Sequence, residues 1–309
     1  MIQVERLRKM YGETIAVEDA TFTAHAGEIF GLLGPNGAGK TTTIGCISGL
    51  LIPTAGRILA DNHDVVREGM AARRSLGVVP QELAMYDDLS AIENLEYWGG
   101  AQGLRGSRLK QRIARVLELT GLQDRAKEAV KRYSGGMKRR LNFACGLVHQ
   151  PKILLLDEPT VGVDPQSRVR LLELVREEAK AGTCVLYTTH YMEEAESLCD
   201  RLAIMDHGRL IAQGTLTELR AMVGERDLLR FTGTWDTAAV HKALSQLEGI
   251  EIVHVGDGSA TVSAPNASSR LPAVFAALSS AGADVRGTIL TQPSLESLFI
   301  KLTGKELRE

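Results

Sequence analysis

The sequence predicts an α/β core built on a mainly parallel sheet, followed by a small α+β domain of ferredoxin-like order. Three observations carry that prediction. Short apolar runs alternate with helical patterns through the first 215 residues. The run Lys152–Leu156 (KILLL) has no polar alternation, as a parallel strand buried on both faces requires. After about residue 228 the pattern changes to strand, helix, strand, strand, helix, strand.

The elements follow in chain order. Glu28–Leu33 (EIFGLL) reads as a strand, a glycine-rich loop follows it, and Thr41–Leu50 reads as a helix. Gly77–Pro80 ends a short strand. Residues 90–121 are helical in pattern, interrupted by the loop QGLRGS. Ser134–His149 is a helix that Ser134 can cap, with Leu141, Ala144, Cys145 and Val148 on one face. A helix over 165–181 places Leu171, Leu172, Leu174 and Val175 together, and Thr183–Thr188 is the next strand. Arg201–Asp206 and Arg209–Gln213 flank His207-Gly208, a hairpin turn signal. Residues 215–227 are expected to join the two domains, 1–222 and 228–309. The second has strands at 228–232, 250–255, 259–263 and 284–291, helices at 236–247 and 268–282, and a turn at Gly256-Asp257-Gly258.

With 309 residues, the chain has room for one large domain or two ordinary ones. Its net charge of −2 exerts no global pull toward nucleic acid or anionic lipid, so no nucleic-acid partner is expected. The cysteines Cys46, Cys145, Cys184 and Cys199 are dispersed, which argues against a disulfide framework or zinc site and for a reducing compartment. MIQVERLRKMYG lacks the apolar core of a signal peptide, and no apolar run is long enough to span a bilayer.

Gly34-Pro35-Asn36-Gly37-Ala38-Gly39-Lys40-Thr41-Thr42 matches GxxxxGK[ST] between a strand and a helix, the context this motif requires. Its glycines let backbone amides turn inward around phosphates, and the helix N-terminus adds partial positive charge. Lys40 would reach the β- and γ-phosphates, and the Thr41 hydroxyl would bind Mg²⁺. Asp157 and Glu158 end a buried strand. Asp157 is the candidate metal ligand and Glu158 the candidate general base for an attacking water. Each could instead be a solvated acid at a strand end, but the phosphate loop makes that reading poor. His190 and Gln81 each follow a strand, where a phosphate contact competes with a structural histidine and a surface glutamine. Tyr11 could stack on adenine or serve as a core aromatic. A second helix start, Ser134-Gly135-Gly136, also has the form of an anion site. The basic run Lys138-Arg139-Arg140 behind it is expected to be mainly a solvated face.

Taken together, these motifs resemble the nucleotide-binding subunit of an ATP-binding cassette (ABC) transporter over residues 1–222. GPNGAGKTT is similar to the family's Walker A loop and VVPQE to its Q-loop, with Gln81. YSGGM is similar to the LSGGQ signature, LLLDEP to the Walker B strand, VGVDP to the D-loop with Asp164, and TTH to the switch with His190. The resemblance implies a P-loop NTPase fold with an antiparallel β subdomain and an α-helical subdomain near 84–148. It also implies ATP and Mg²⁺ as cofactors, with Thr41, Gln81 and Asp157 around the metal. Two copies would pair head to tail, so that Ser134, Gly135 and Gly136 of one face the γ-phosphate held by the other. A separate transmembrane permease would dock a short helix beside Gln81, near Glu82–Asp88. The signature departs from the family pattern at Tyr133 and Met137, and the D-loop at Val163.

SGGMKRRL, GVDPQSR and the tail TQPSLESLFIKLTG are similar to the ABC-2, or daunorubicin-resistance-like, exporter branch. A soluble DNA-repair or translation ATPase of this class is the competing reading. The stretch from Lys40 to Ser134 is too short for an inserted coiled coil, and only one cassette is present. A nucleotide-sensing regulator without turnover is opposed by the presence of both Glu158 and His190. For the C-terminal domain, the residues leave ligand binding, contact with its twin and buttressing all open.

Overall fold

The computed structural model describes residues 1–223, 226–291 and 294–304. Positions 224–225 of the expected linker, and 292–293 and 305–309 of the tail, lie outside the described residues. The chain divides into two compact units, one ending at Gln213 and the other beginning at Gly214.

In the first unit the strands are β1 (Ile2–Tyr11), β2 (Thr14–Ala24), β3 (Ile29–Leu33), β4 (Ala55–Ala60), β5 (His63–Asp64), β6 (Leu76–Val79), β7 (Ile153–Asp157), β8 (Cys184–Thr189), β9 (Arg201–Asp206) and β10 (Arg209–Thr215). Its helices are α1 (Lys40–Ile47), α2 (Gly69–Arg74), α3 (Ala91–Ala101), α4 (Gly106–Thr120), α5 (Gly135–Leu147), α6 (Pro165–Lys180) and α7 (Met192–Leu198). One sheet runs β5-β4-β1-β2-β10-β9-β3-β8-β7-β6. β6, β7, β8, β3 and β9 pair in parallel, whereas β2, β1, β4 and β5 pair antiparallel.

Every residue of β3, β7 and β8 is buried. Alternation along these strands divides their side chains between two cores. Ile153 and Leu155 join Phe30, Leu32, Ile44 and Leu186 on one side of the sheet, while Leu154 and Leu156 join Val185, Tyr187, Leu141 and Leu174 on the other. Each such side chain contributes about 1.5–3 kcal/mol on burial. Helices α3, α4 and α5 pack together. The first is started by a capping box between Ser90 and Glu93, and α4 is ended by Gly121 in the left-handed conformation (φ 63°). His207 and Gly208 both have positive φ, 45° and 77°, as a tight primed turn between β9 and β10 requires.

The parallel part of the sheet sets the order of the motifs. Reading across β3, β8, β7 and β6, their carboxyl ends lead into the Gly34 loop, His190, Glu158 and Gln81. Such edges collect ligands because every strand there ends on the same side.

The second unit contains α8 (Leu216–Val223), β11 (Asp227–Thr234), α9 (Thr237–Ser245), β12 (Glu251–Gly256), β13 (Ser259–Ala264), α10 (Ala267–Ser280), β14 (Asp284–Thr291) and α11 (Leu295–Thr303). Its sheet runs β12-β13-β11-β14 with antiparallel pairs, the ferredoxin-like order. Leu229, Phe231 and Val262 meet Val240, Leu244 and Val274 in its core.

Two features differ from the sequence reading. The two compact units meet at Gln213/Gly214, so the segment 215–227 expected to join the domains falls in the second unit, where α8 packs on α11 and Leu219 is fully buried. Helix α11 itself extends the expected element order, and Ser294 and Ser297 close its first turn reciprocally.

Candidate functional site

The loop after β3 is built around glycines that nothing larger could replace. A Cβ on Gly34 would lie 2.2 Å from the Met205 carbonyl oxygen, and one on Gly39 2.5 Å from that of Ala16. Gly39, at φ 107°, is the N-cap of α1 and offers no side-chain cap, and the first turn of α1 carries no acidic residue. The N-terminal amides of α1 are therefore left for an external acceptor. Asn36 and Gly37 are exposed, Thr42 is half-buried, and Ala38 is buried with its amide donating to the Pro35 carbonyl at 3.1 Å.

Lys40 is only 4% exposed. Its Nζ donates to the Gly34 and Pro35 carbonyls at 2.6 and 3.0 Å and lies 3.0 Å from Glu158 Oε1. Glu158 is equally buried and has φ 43°, a left-handed conformation that a glutamate adopts at a cost. Its second oxygen, Oε2, is 3.1 Å from His190 Nδ1. The carboxylate thus lies between a cation and an imidazole at the sheet edge.

Asp157 closes β7. Thr188 donates its hydroxyl to Asp157 Oδ1 at 2.7 Å and accepts the Glu158 amide at 3.0 Å, so one threonine orients both acids. Burial pushes the Asp157 carboxyl above its usual range, opposed by hydrogen bonds from Thr188 and Thr41. A buried carboxylate of this kind gains from a bound cation. No group of three or more His, Cys, Asp or Glu side chains able to hold a metal occurs among the described residues. A cation here would complete its shell with hydroxyl, amide, water or phosphate oxygens, a donor set that suits Mg²⁺.

The backbone on either side of His190 is tied down by residues the sequence reading did not single out. Buried Glu194 accepts hydrogen bonds from the Tyr187 and Thr189 hydroxyls at 2.8 and 2.9 Å and pairs with Arg168 Nε at 2.9 Å. Thr189 also accepts the Tyr191 amide, and the rings of His190 and Tyr191 stand 4.1 Å apart. The available signal was a carboxylate beside Ala195 and Leu198 on the buried face of α7.

The remaining expected residues lie around this cluster. Gln81 is exposed, two residues beyond β6. Tyr11, at the end of β1, is 48% exposed with Lys9 Nζ 5.0 Å from its ring centre, which removes the core-aromatic reading. Asp164 caps α6 by accepting the Ser167 amide at 3.0 Å, and that hydrogen bond holds its carboxyl below the usual range.

Ser134 is the N-cap of α5. Its hydroxyl accepts the Met137 amide at 3.3 Å, and its hydrogen bonds stay within its own helix. The two following glycines differ. Gly135 is exposed and a Cβ there would meet nothing within 4 Å, whereas Gly136 is buried and a Cβ would lie 2.2 Å from Ser167 Oγ. The second glycine brings α5 against α6. Met137 packs on the main apolar core, which accounts for an apolar residue there.

The basic run is not the solvated face that was expected. Lys138 pairs with Asp87 at 2.9 Å, Arg139 donates to the carbonyls of Gln81 and Val161, and Arg140 donates to the Thr120 carbonyl at 2.7 Å. Three successive helical residues point about 100° apart, so they cannot share one solvent face.

Known proteins that resemble this chain agree with one another. The family model described as "ABC transporter" matches residues 17–161. The linearmycin resistance ATP-binding protein LnrL of Bacillus subtilis is 41% identical over 311 residues, covering 100% of each chain. The Nod factor export ATP-binding protein I of Ralstonia nicotianae is 37% identical over 311 residues, covering 100% of this chain and 95% of that one. Among solved structures, the ATP-binding cassette MJ0796, dimeric in a post-hydrolysis state with ADP and Pi, is 25% identical with a TM-score of 0.63. That match covers 70% of this chain and 99% of the other.

Proposed function

This chain belongs to the ABC transporter family as an ATP-binding and ATP-hydrolysing subunit, and we propose that it drives export through a separate membrane permease by closing on a second copy of itself around ATP. The observation that carries this reading is the presence of two helix N-termini suited to anions. One, at Lys40, faces the acids of its own chain. The other, at Ser134, is exposed and has no acidic residue in its first turn.

In this reading the Gly34–Thr42 loop wraps the phosphates, Lys40 neutralises the β- and γ-phosphates, and Tyr11 stacks on adenine. Thr41, Asp157 and Gln81 would hold Mg²⁺, which supplies charge neutralisation at the transferring phosphoryl group. Glu158 takes the proton of the attacking water, and His190, oriented through Glu194 and Thr189, contacts the γ-phosphate by its free ring nitrogen. Ser134, Gly135 and Gly136 of the second copy close the site from outside, with Asp164 at the same junction. Dimerisation then becomes a condition of turnover.

A cleft supports the permease partner. A cavity of about 210 Å³ lies between β6, α3 and α5, lined by Val78, Ala84, Trp98, Asn142, Cys145 and His149. Leu83, Tyr86 and Tyr97 are exposed nearby in sequence, at 38%, 46% and 49%. An apolar groove with Trp98 in its wall suits a short amphipathic helix. Among the described residues no helix is long and apolar enough to cross a membrane, in keeping with peripheral attachment at the cytoplasmic face through the permease.

Glu158→Gln tests the core of this reading. We expect Mg-ATP binding to persist, a dimer to accumulate on size-exclusion chromatography in ATP, and kcat to fall by roughly 10²–10⁴-fold. Normal turnover in this variant would remove the base assignment. Ser134→Arg should abolish hydrolysis while monomer ATP affinity stays unchanged; equal loss of that affinity would sink closure by the second copy.

A further inference from the structure

We propose that Arg139 is a positioning residue that fixes Gln81 relative to the turn carrying Glu158 and Asp164. The proposal rests in part on the reading of Gln81 as a metal contact. Arg139 lies on α5, one turn beyond Ser134, and its guanidinium is half-buried. Nη1 donates to the Gln81 carbonyl, and Nη2 donates to the Val161 carbonyl at 2.9 Å. These acceptors belong to loops that leave two different strands, β6 and β7.

The same helix grips the first loop again one turn later. Asn142 donates to the Pro80 carbonyl at 3.2 Å and accepts the Ala84 amide at 3.1 Å. On the other side, the Val161 amide reaches the Glu158 carbonyl at 3.3 Å, and Val163 reaches Thr160 at 3.2 Å. A displacement of the Gln81 peptide therefore passes through one planar group to the peptide three residues beyond the base. Arginine suits this task because its fork holds two acceptors at a fixed angle, which the single ammonium of lysine cannot do. Both acceptors lie in loops outside the sheet, so Arg139 is placed to set loop geometry rather than to hold the core together.

The full chain labelled with 5-fluorotryptophan provides the test. It has two tryptophans. Trp98 donates to the Ala84 carbonyl at 3.0 Å and reports on the loop after Gln81, while Trp235, in the second unit, is the internal control. In Arg139→Lys, the ¹⁹F resonance of Trp98 should shift or broaden while that of Trp235 stays in place. kcat should fall by roughly ten- to hundredfold with the ATP dissociation constant nearly unchanged. The Mg²⁺ concentration for half-maximal hydrolysis should rise as it does in Gln81→Ala, and the double variant should need no more Mg²⁺ than Gln81→Ala alone. A Trp98 resonance at its wild-type position overturns the proposal, as does a Mg²⁺ requirement in which the single effects multiply. If Gln81→Ala leaves the Mg²⁺ requirement unchanged, the metal reading of Gln81 falls and the Trp98 resonance alone decides on Arg139. Should Arg139→Lys fail to fold, Arg139→Gln, which also cannot span both carbonyls, carries the same comparisons.

Discussion

The starts of α1 and α5 are alike in sequence logic and opposite in setting. α1 follows a glycine-rich loop and α5 begins with two glycines, and neither has an acidic residue in its first turn. At α1 the cap is a left-handed glycine and the lysine is buried against Glu158, so the groups proposed to act on a phosphate are already assembled within one chain. At α5 the cap is a serine facing outward, and the hydrogen bonds of its side chain remain local. An anion site backed by catalytic groups can work on its own ligand. An exposed one can only complete a site whose catalytic groups come from elsewhere.

The sharpest way to break this comparison is Lys40→Ala. It should weaken Mg-ATP binding by about ten- to hundredfold, the loss expected for one or two charge-assisted hydrogen bonds, and titration calorimetry would measure it. A comparable loss from Ser134→Ala in the monomer would mean that the two helix starts do not divide the work. Gly136→Ala comes next and acts on stability, because its Cβ collides with Ser167. We expect about 1–3 kcal/mol of destabilisation in denaturant melts. Gly135→Ala should lie within about 0.5 kcal/mol of wild type, since the added methyl meets only solvent. Its hydrolysis should nevertheless fall if a second copy's phosphate approaches there. Equal melting curves for the two alanine variants would remove the distinction drawn between the glycines.

A truncation series contrasts the two units. A chain ending at Gln213 should remain soluble and bind ATP, because it ends where the first unit ends. A chain ending at residue 227 keeps α8 but lacks α11, leaving the apolar face around Leu219 without its packing partner. It should therefore be the less soluble of the two. The opposite order, read by sedimentation of the expressed proteins, would restore the boundary near 222–228.

Much of the candidate site is legible in the sequence because its chemistry demands particular residues at fixed spacing. A loop that wraps phosphates needs glycines where Gly34 and Gly39 stand, and an unalternated strand such as Ile153–Asp157 delivers its acids to a sheet edge. The supporting shell is not legible in the same way. Thr188 acts on a residue 31 positions away, Arg139 on backbone carbonyls that every residue possesses, and Glu194 on hydroxyls and a guanidinium whose convergence only packing decides. The Lys138–Arg140 run shows the limit well, since charge alone suggests solvent and only the path of the neighbouring loops reveals where each side chain finds its own acceptors.

By itself the sequence determined the α/β class and the ferredoxin-like order of the second domain, and it singled out the glycine-rich loop, the paired acids and the helix start at Ser134 as the candidate site. These follow from local periodicity, turn chemistry and residue type, which neighbours in the chain decide. Only the tertiary structure decided that Gly135 is open while Gly136 is closed, that α8 belongs with α11, and that a single guanidinium joins the loops after β6 and β7. Those outcomes depend on which surfaces long-range packing brings within a few ångströms, and no spacing along the chain encodes that distance.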